Sequence, residues 1–354
     1  MISILSFIVV LGIIVFFHEL GHFLAAKLTG VRVEQFSLGF PPKLISRKWG
    51  ETEYMISWVP LGGFVKMAGM VDESLDDKPL TGAKWEFMSK NFGQKVFILS
   101  AGVLMNFVLA FLLYTLITFF SGIGQIGAAR IGGVEAGAPA DSLGLKIGDL
   151  IVAVDGDTIA GWENMADVIH SRPGQEIAVS WLREEQLLSG KITTKAEEAL
   201  VDGERKLVGL IGVAPQLERR PAGVIEAVVN GAQSTAYVTA ISVISIKMLL
   251  TGEAGIKDLV GPVGIAKFSG ESARSGAAVF FGFIALISIN IGFLNILPLP
   301  VLDGGHIVYT MIEAVIRRQI STKVKLIIQQ VGMGLLLILI LIISYNDIMR
   351  FFID

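Results

Sequence analysis

The chain has 354 residues, 53% of them hydrophobic and 17% charged, with a mean hydropathy of +0.66 and a formal net charge of −3. That balance excludes an ordinary soluble enzyme and leaves room for several membrane spans plus at least one water-soluble domain. The absence of cysteine excludes disulfides and thiolate-bound metals, and the small net charge is silent on nucleic acid, which is not expected as a partner.

The first apolar segment runs from Ile2 to about Leu28, which as a helix covers roughly 40 Å and can cross a bilayer. No basic residue precedes it and no Ala-x-Ala site follows it closely, so it reads as a retained span, not a signal peptide. Within it lies Phe17-His18-Glu19-Leu20-Gly21-His22. His18 and His22, four residues apart, share one helical face and can address one metal ion. Glu19 lies near the same edge, close enough to reach a water on that metal without being a ligand. Two imidazoles and a carboxylate are costly in hydrocarbon unless paired or metal-bound, so the pattern indicates a zinc site inside the membrane. His18 falls roughly 24 Å along the helix, which places the site nearer one surface.

Charge sets the expected orientation. Residues 27–95 hold ten Lys and Arg, and residues 317–325 hold four more. Residues 122–215 hold eight Lys or Arg against fourteen Asp or Glu, a local charge of −6. Under the positive-inside rule the basic regions are cytoplasmic, the acidic one is exported, and the metal lies toward the cytoplasmic side.

Residues 31–70 are punctuated by glycine and proline and carry short β-forming runs, which predicts a small, unusually apolar antiparallel sheet. Such a sheet at membrane depth must be buried in protein or line a cavity, and its edge could take a substrate as an added strand. Residues 72–90 read as a solvated connector and residues 96–120 as a second span. Gly102 and Asn106 share one face of that span and are expected to pack against another helix. From about residue 124 the pattern changes to short strands (130–134, 150–154, 176–183) with a helix over 162–169. This order resembles a PDZ domain of the bacterial, protease-associated kind, whose groove takes a peptide as an added strand. His170, beside Arg172 and Pro173, is expected at the surface with no metal role. Residues 219–275 read as juxtamembrane, with an interfacial or packed helix over 237–250 too short to span. The third span covers about 277–297 and the fourth about 327–343. The expected divisions are 1–121, 122–216, 217–276 and 277–354.

Zinc needs a third protein ligand and an open position for water. Asp303 is the best candidate, because the third span ends at the depth of His22 and Pro298 and Pro300 break the helix there. Gly304-Gly305 lets backbone approach closely; Asp303 could otherwise be a turn or cap residue. His306 is a rival ligand, better suited to supporting or packing. Asn295 could donate to a substrate backbone carbonyl or cap the broken helix.

His18-Glu19-Leu20-Gly21-His22, the later run from Asn295 through Pro298-Leu299-Pro300-Val301-Leu302 to Asp303-Gly304, and the PDZ-like region between them resemble the site-2 protease family of intramembrane zinc metalloproteases. The nearest type is the bacterial regulator of sigma-E protease. The resemblance implies a multi-span α-helical membrane protein of about four transmembrane helices with a membrane-associated β-sheet and one inserted PDZ domain. It implies Zn2+ held by His18, His22 and Asp303, Glu19 as the catalytic residue, and Asn295 holding substrate. It also implies transmembrane substrates, of the anti-sigma-factor type or signal-peptide remnants, cut in the lipid of a bacterial cytoplasmic membrane. The chain departs from the enterobacterial form in having one PDZ domain, not two in tandem. A non-catalytic PDZ adaptor would not need Glu19, and a transporter would be expected to show an inverted repeat, which is not seen.

Overall fold

The computed structural model of the chain describes residues 2–70, 81–201, 204–255 and 259–353. The chain divides into two compact units, one of Met1–Phe119 with Gly223–Asp354 and the other Phe120–Ala222.

The first unit opens with α1 (Ile2–Leu28), followed by β1 (Val33–Trp49), β2 (Thr52–Met67) and α2 (Phe92–Ser121). The two strands pair antiparallel, with Val33 opposite Met67 and Trp49 opposite Thr52. Register breaks let Phe36 lie beside both Tyr54 and Val65. One end of this sheet is core: Val33, Phe36, Val65 and Met67 join Ala25 and Ala26 of α1 and Ile98 and Leu99 of α2 in one apolar cluster. The outer segments, the second half of β1 and the part of β2 paired to it, expose Leu44, Ile45, Trp49, Ile56 and Trp58, a density of bare apolar surface that water does not favour.

The connector expected over residues 72–90 lies outside the described residues as far as 80. The remainder is not solvated throughout. Phe87 is buried, its backbone N–H donates to Ala68, and the buried Glu86 carboxylate accepts from the Thr81 and Gly82 amides. Phe87, set among charges, docks this stretch on the sheet by burying its ring, while Trp85 stays exposed beneath the Arg32 guanidinium.

The second unit carries β3 (Ile123–Val134), a short helix α3 (Pro139–Ser142), β4 (Leu150–Val154), β5 (Asp157–Thr158), α4 (Trp162–His170), β6 (Glu176–Arg183), β7 (Gln186–Thr193), β8 (Lys195–Val201), β9 (Glu204–Leu210) and β10 (Val213–Arg220). The main sheet runs β10-β3-β4-β6-β7 with β5 paired to β4, and β8 and β9 form a separate hairpin. Inward-facing Ile131, Ile151, Val154, Ile177, Val179 and Trp181 pack under Met165 and Ile169 of α4. The alternation along β6, with Ile177, Val179 and Trp181 buried, is that of a strand with one wet face. This is the PDZ architecture expected from the element order, with the β8–β9 hairpin as an unforeseen addition. β10 is an edge strand, and a groove of about 720 Å³ lies between it and α4.

The chain then returns to the first unit with α5 (Val224–Thr251), α6 (Pro262–Arg274), α7 (Ala277–Ile296), α8 (Asp303–Ile316) and α9 (Thr322–Ile348). Helix α5 starts well before the expected residue 237 and runs 28 residues. Asn230, Gln233, Ser234 and Thr235 lower the hydropathy of its first half without breaking the helix. Two of its polar side chains meet polar partners: Thr118 donates to Asn230, and Ser242 donates to Asn290 of α7. Among the described helices, four are long and apolar enough to cross a membrane: α1, α2, α7 and the segment Thr322–Phe351 that includes α9. Val10 and Ile14 of α1 meet Leu109 of α2 and Ile284 of α7, which bundles these three. Between spans this contact is van der Waals fit, since lipid is as apolar as the side chains.

Candidate metal centre

The bundle of α1, α2 and α7 brings its polar residues to one place. His18 Nε2 and His22 Nε2 lie 3.3 Å apart, as the four-residue helical spacing allows. Asp303 Oδ2 lies 3.2 Å from the first and 3.3 Å from the second. Among the described residues this trio is the one group of three His, Cys, Asp or Glu side chains close enough to share a metal ion.

Asp303 reaches this position because α7 stops at Ile296 and Pro298 and Pro300 bar its continuation. The chain turns through residues 297–302 and restarts as α8 at Asp303 itself. Gly304 makes the turn possible: a Cβ there would collide with the Ile296 and Leu297 carbonyls. The N-cap of α8 is Leu302, so Asp303 is not consumed by capping. Its Oδ2 is buried without a hydrogen-bond donor, beside two imidazole nitrogens. An orphaned, buried carboxylate oxygen is costly unless a cation completes it.

The donor set passes a further test. Ligand atoms about 2.0–2.1 Å from a tetrahedral zinc lie about 3.3 Å apart, the edge length found here. Two imidazoles and one carboxylate are ligand types that zinc accepts, and three protein ligands leave one position open.

Helix α2 braces both histidines. His22 Nδ1 is 2.9 Å from the Ile98 carbonyl, so it carries the proton and leaves Nε2 unprotonated for a metal. Asn106 Nδ2 is 3.3 Å from His18 Nδ1, and Asn106 is fully buried. Gly102 gives the rings room: a Cβ there would overlap His22 Nε2 and come within 2.8 Å of His18 Cε1. The expected packing of Gly102 and Asn106 on another helix is therefore packing on the two histidines. An amide inside an apolar span was the available signal, since intramembrane polar groups seek partners.

Glu19 is buried and makes no hydrogen bond or ion pair among the described residues. Gly63 of β2 sits against it; a Cβ on Gly63 would come within 3.2 Å of Glu19 Cγ. Asn295, in the last turn of α7, places Nδ2 3.4 Å from His18 Nε2, on the metal-facing side. His306 lies one turn beyond Asp303 with its ring edge-on to Tyr309, outside the trio. His170, at the end of α4, lines the groove of the second unit.

The profile of peptidase family M50 matches residues 6–339. The zinc metalloprotease RasP of Geobacillus kaustophilus is 32% identical, over 99% of this chain and 98% of that protein. The regulator of sigma-W protease RasP of Bacillus subtilis is 29% identical, over 99% of each. Among solved structures, the PDZ domain of an SdrC-like protein from Listeria monocytogenes is 22% identical over 26% of this chain and 90% of that one, with a TM-score of 0.20. The chain belongs to peptidase family M50, the membrane-embedded zinc metalloproteases of the site-2 type that its two motifs resemble.

Proposed function

We propose that this protein hydrolyses peptide bonds within transmembrane segments of other membrane proteins, with zinc held by His18, His22 and Asp303. The observation that carries the reading is the triangle of ligand atoms with 3.2–3.3 Å edges inside an apolar bundle, with unpaired Glu19 beside it. Zinc at such a site supplies Lewis acidity that activates water and polarises a carbonyl. Glu19 takes the proton of the attacking water and delivers it to the leaving amine. Its lack of a competing partner leaves the carboxylate available for both transfers. Asn295 donates its amide to a substrate carbonyl and fixes the scissile bond.

A helical substrate must unwind first, because its carbonyls are hydrogen-bonded and screened. The β1–β2 sheet offers the unwound segment an edge to pair with, and Gly63 brings that sheet against Glu19. The exposed apolar outer segments of the sheet suit immersion in lipid. By charge, the second unit lies on the exported side of a bacterial cytoplasmic membrane and the zinc toward the cytoplasm. Substrates are anti-sigma factors or signal-peptide remnants, as the family resemblance implies, and the second unit governs which of them gain access.

The test is Glu19→Gln in the purified full chain, assayed on a model transmembrane substrate. The amide keeps the shape and cannot take the proton, so turnover should fall by about 10²–10⁴-fold while bound zinc is unchanged. Full activity would remove Glu19 from this role.

A further inference from the structure

His22 and His18 are braced differently, and the difference points to a role for Asn106. The backbone carbonyl of Ile98 can only accept, so it admits one tautomer of His22, with the proton on Nδ1. His18 has a side-chain amide at the same place: the partner of its Nδ1 is Asn106, at 3.3 Å. An amide can present either its NH2 or its carbonyl by turning half a revolution, so it can partner either tautomer.

The orientation described has Asn106 Nδ2 toward His18 Nδ1. An NH2 against Nδ1 would put the ring proton on Nε2, yet Asn295 Nδ2 lies 3.4 Å from Nε2 and can only donate to it. A ring protonated on Nε2 cannot use that nitrogen as a ligand. For His18 to bind a metal through Nε2 the proton must sit on Nδ1, and Nδ1 then needs an acceptor. Asn106 Oδ1, buried and without a donor in the present orientation, is the acceptor within reach.

We propose that Asn106 positions His18: its side-chain carbonyl accepts the Nδ1 proton and so holds Nε2 free for the metal. This rests on the metal reading given above. With the amide turned half a revolution both contacts are satisfied, Nδ1 donating to Asn106 Oδ1 and Nε2 left to accept. The residue is held for that task, since Ser288 of α7 donates to its backbone carbonyl at 2.9 Å and fixes α2 against α7 at this level. Asn106 acts through His18 and touches neither substrate nor metal.

The experiment is a zinc-affinity measurement by chelator competition on the purified full chain in detergent, with three proteins compared. Asn106→Leu fills the same apolar space with no acceptor, and should weaken zinc binding by about 10–100-fold, the usual effect of losing a ligand's supporting partner. Asn106→Asp keeps an acceptor and adds charge, and should bind zinc at least as tightly as the unaltered chain. A merely structural amide predicts the opposite order, with buried Asp the more damaging change and Leu the milder. Leu equal to the unaltered chain, or Asp as weak as Leu, would overturn the proposal. Failure of the underlying metal reading would look different: the unaltered chain would bind no stoichiometric zinc, or would bind it equally after His18→Ala.

Discussion

Each unit of this protein buries an aspartate, and the two could hardly be treated more differently. Asp149, in the second unit, is 1% exposed and every side of its carboxylate is occupied. Arg183 donates to it through Nε at 2.8 Å and through its terminal nitrogen at 2.7 Å, and the Lys146 amide donates at 2.8 Å. Asp303, in the first unit, has a buried oxygen with no donor and two imidazoles within 3.3 Å. The satisfied carboxylate ties a loop to a strand. The unsatisfied one sits where the proposed metal would bind. Burial alone therefore does not mark a functional acid; burial with unfilled hydrogen-bonding capacity does.

The comparison breaks most sharply under substitution. Asp303→Ala should abolish cleavage and lower bound zinc, because it deletes one of the three proposed ligands. Asp149→Ala should leave zinc content intact and lower the thermal stability of its own unit. Metal analysis of both purified variants checks this, and zinc loss in Asp149→Ala with retention in Asp303→Ala would reverse the assignment.

A milder break is to remove the second unit. Excising residues 123–220 and bridging with a flexible linker should preserve zinc and the cleavage of a short transmembrane peptide, since the trio and Glu19 all lie in the first unit. Selectivity should change, with substrates that still carry a bulky exported domain now being cut. A folded, zinc-loaded deletion that cuts neither trimmed nor untrimmed substrate would make the second unit part of the catalytic assembly.

The smallest effects belong to Asp149 itself. Arg183→Ala should destabilise the second unit by about 1.5–3 kcal/mol, the worth of hydrogen bonds to a charged group. Burial pushes the Asp149 carboxyl up, and the Arg183 guanidinium and Lys146 amide pull it down further, so it ionises below the usual carboxylate range. A depressed folded-state pKa contributes stability above the unfolded value of about 3.9, and that contribution is lost as pH falls through the lower folded value. Melting of this unit should therefore weaken below about pH 4, and Asp149→Asn should flatten that part of the profile.

Much of the metal end was legible in the residues. Helical spacing alone put His18 and His22 on one face, and two prolines with two glycines marked where a chain could turn to deliver Asp303. Span α1 was read at Ile2–Leu28 because unbroken apolar sequence has one stable form in lipid. What escaped were the groups that act through a partner. Asn106 looks like any amide in a span until the helix it faces is known. The length of α5 was hidden because hydropathy reports lipid preference, while Asn230 and Ser242 are partnered inside the protein. The β8–β9 hairpin was missed because residues 195–210 mix charges with β-formers and offer no clean alternation.

The most direct measurement strips the metal from the purified chain with a chelator and returns zinc stepwise while cleavage of a model transmembrane peptide is followed. The account predicts no cleavage without metal and full recovery at one zinc per chain. It also predicts that Glu19→Gln takes up the same single zinc and recovers nothing. Cleavage by the metal-free chain, or recovery in Glu19→Gln, would contradict it.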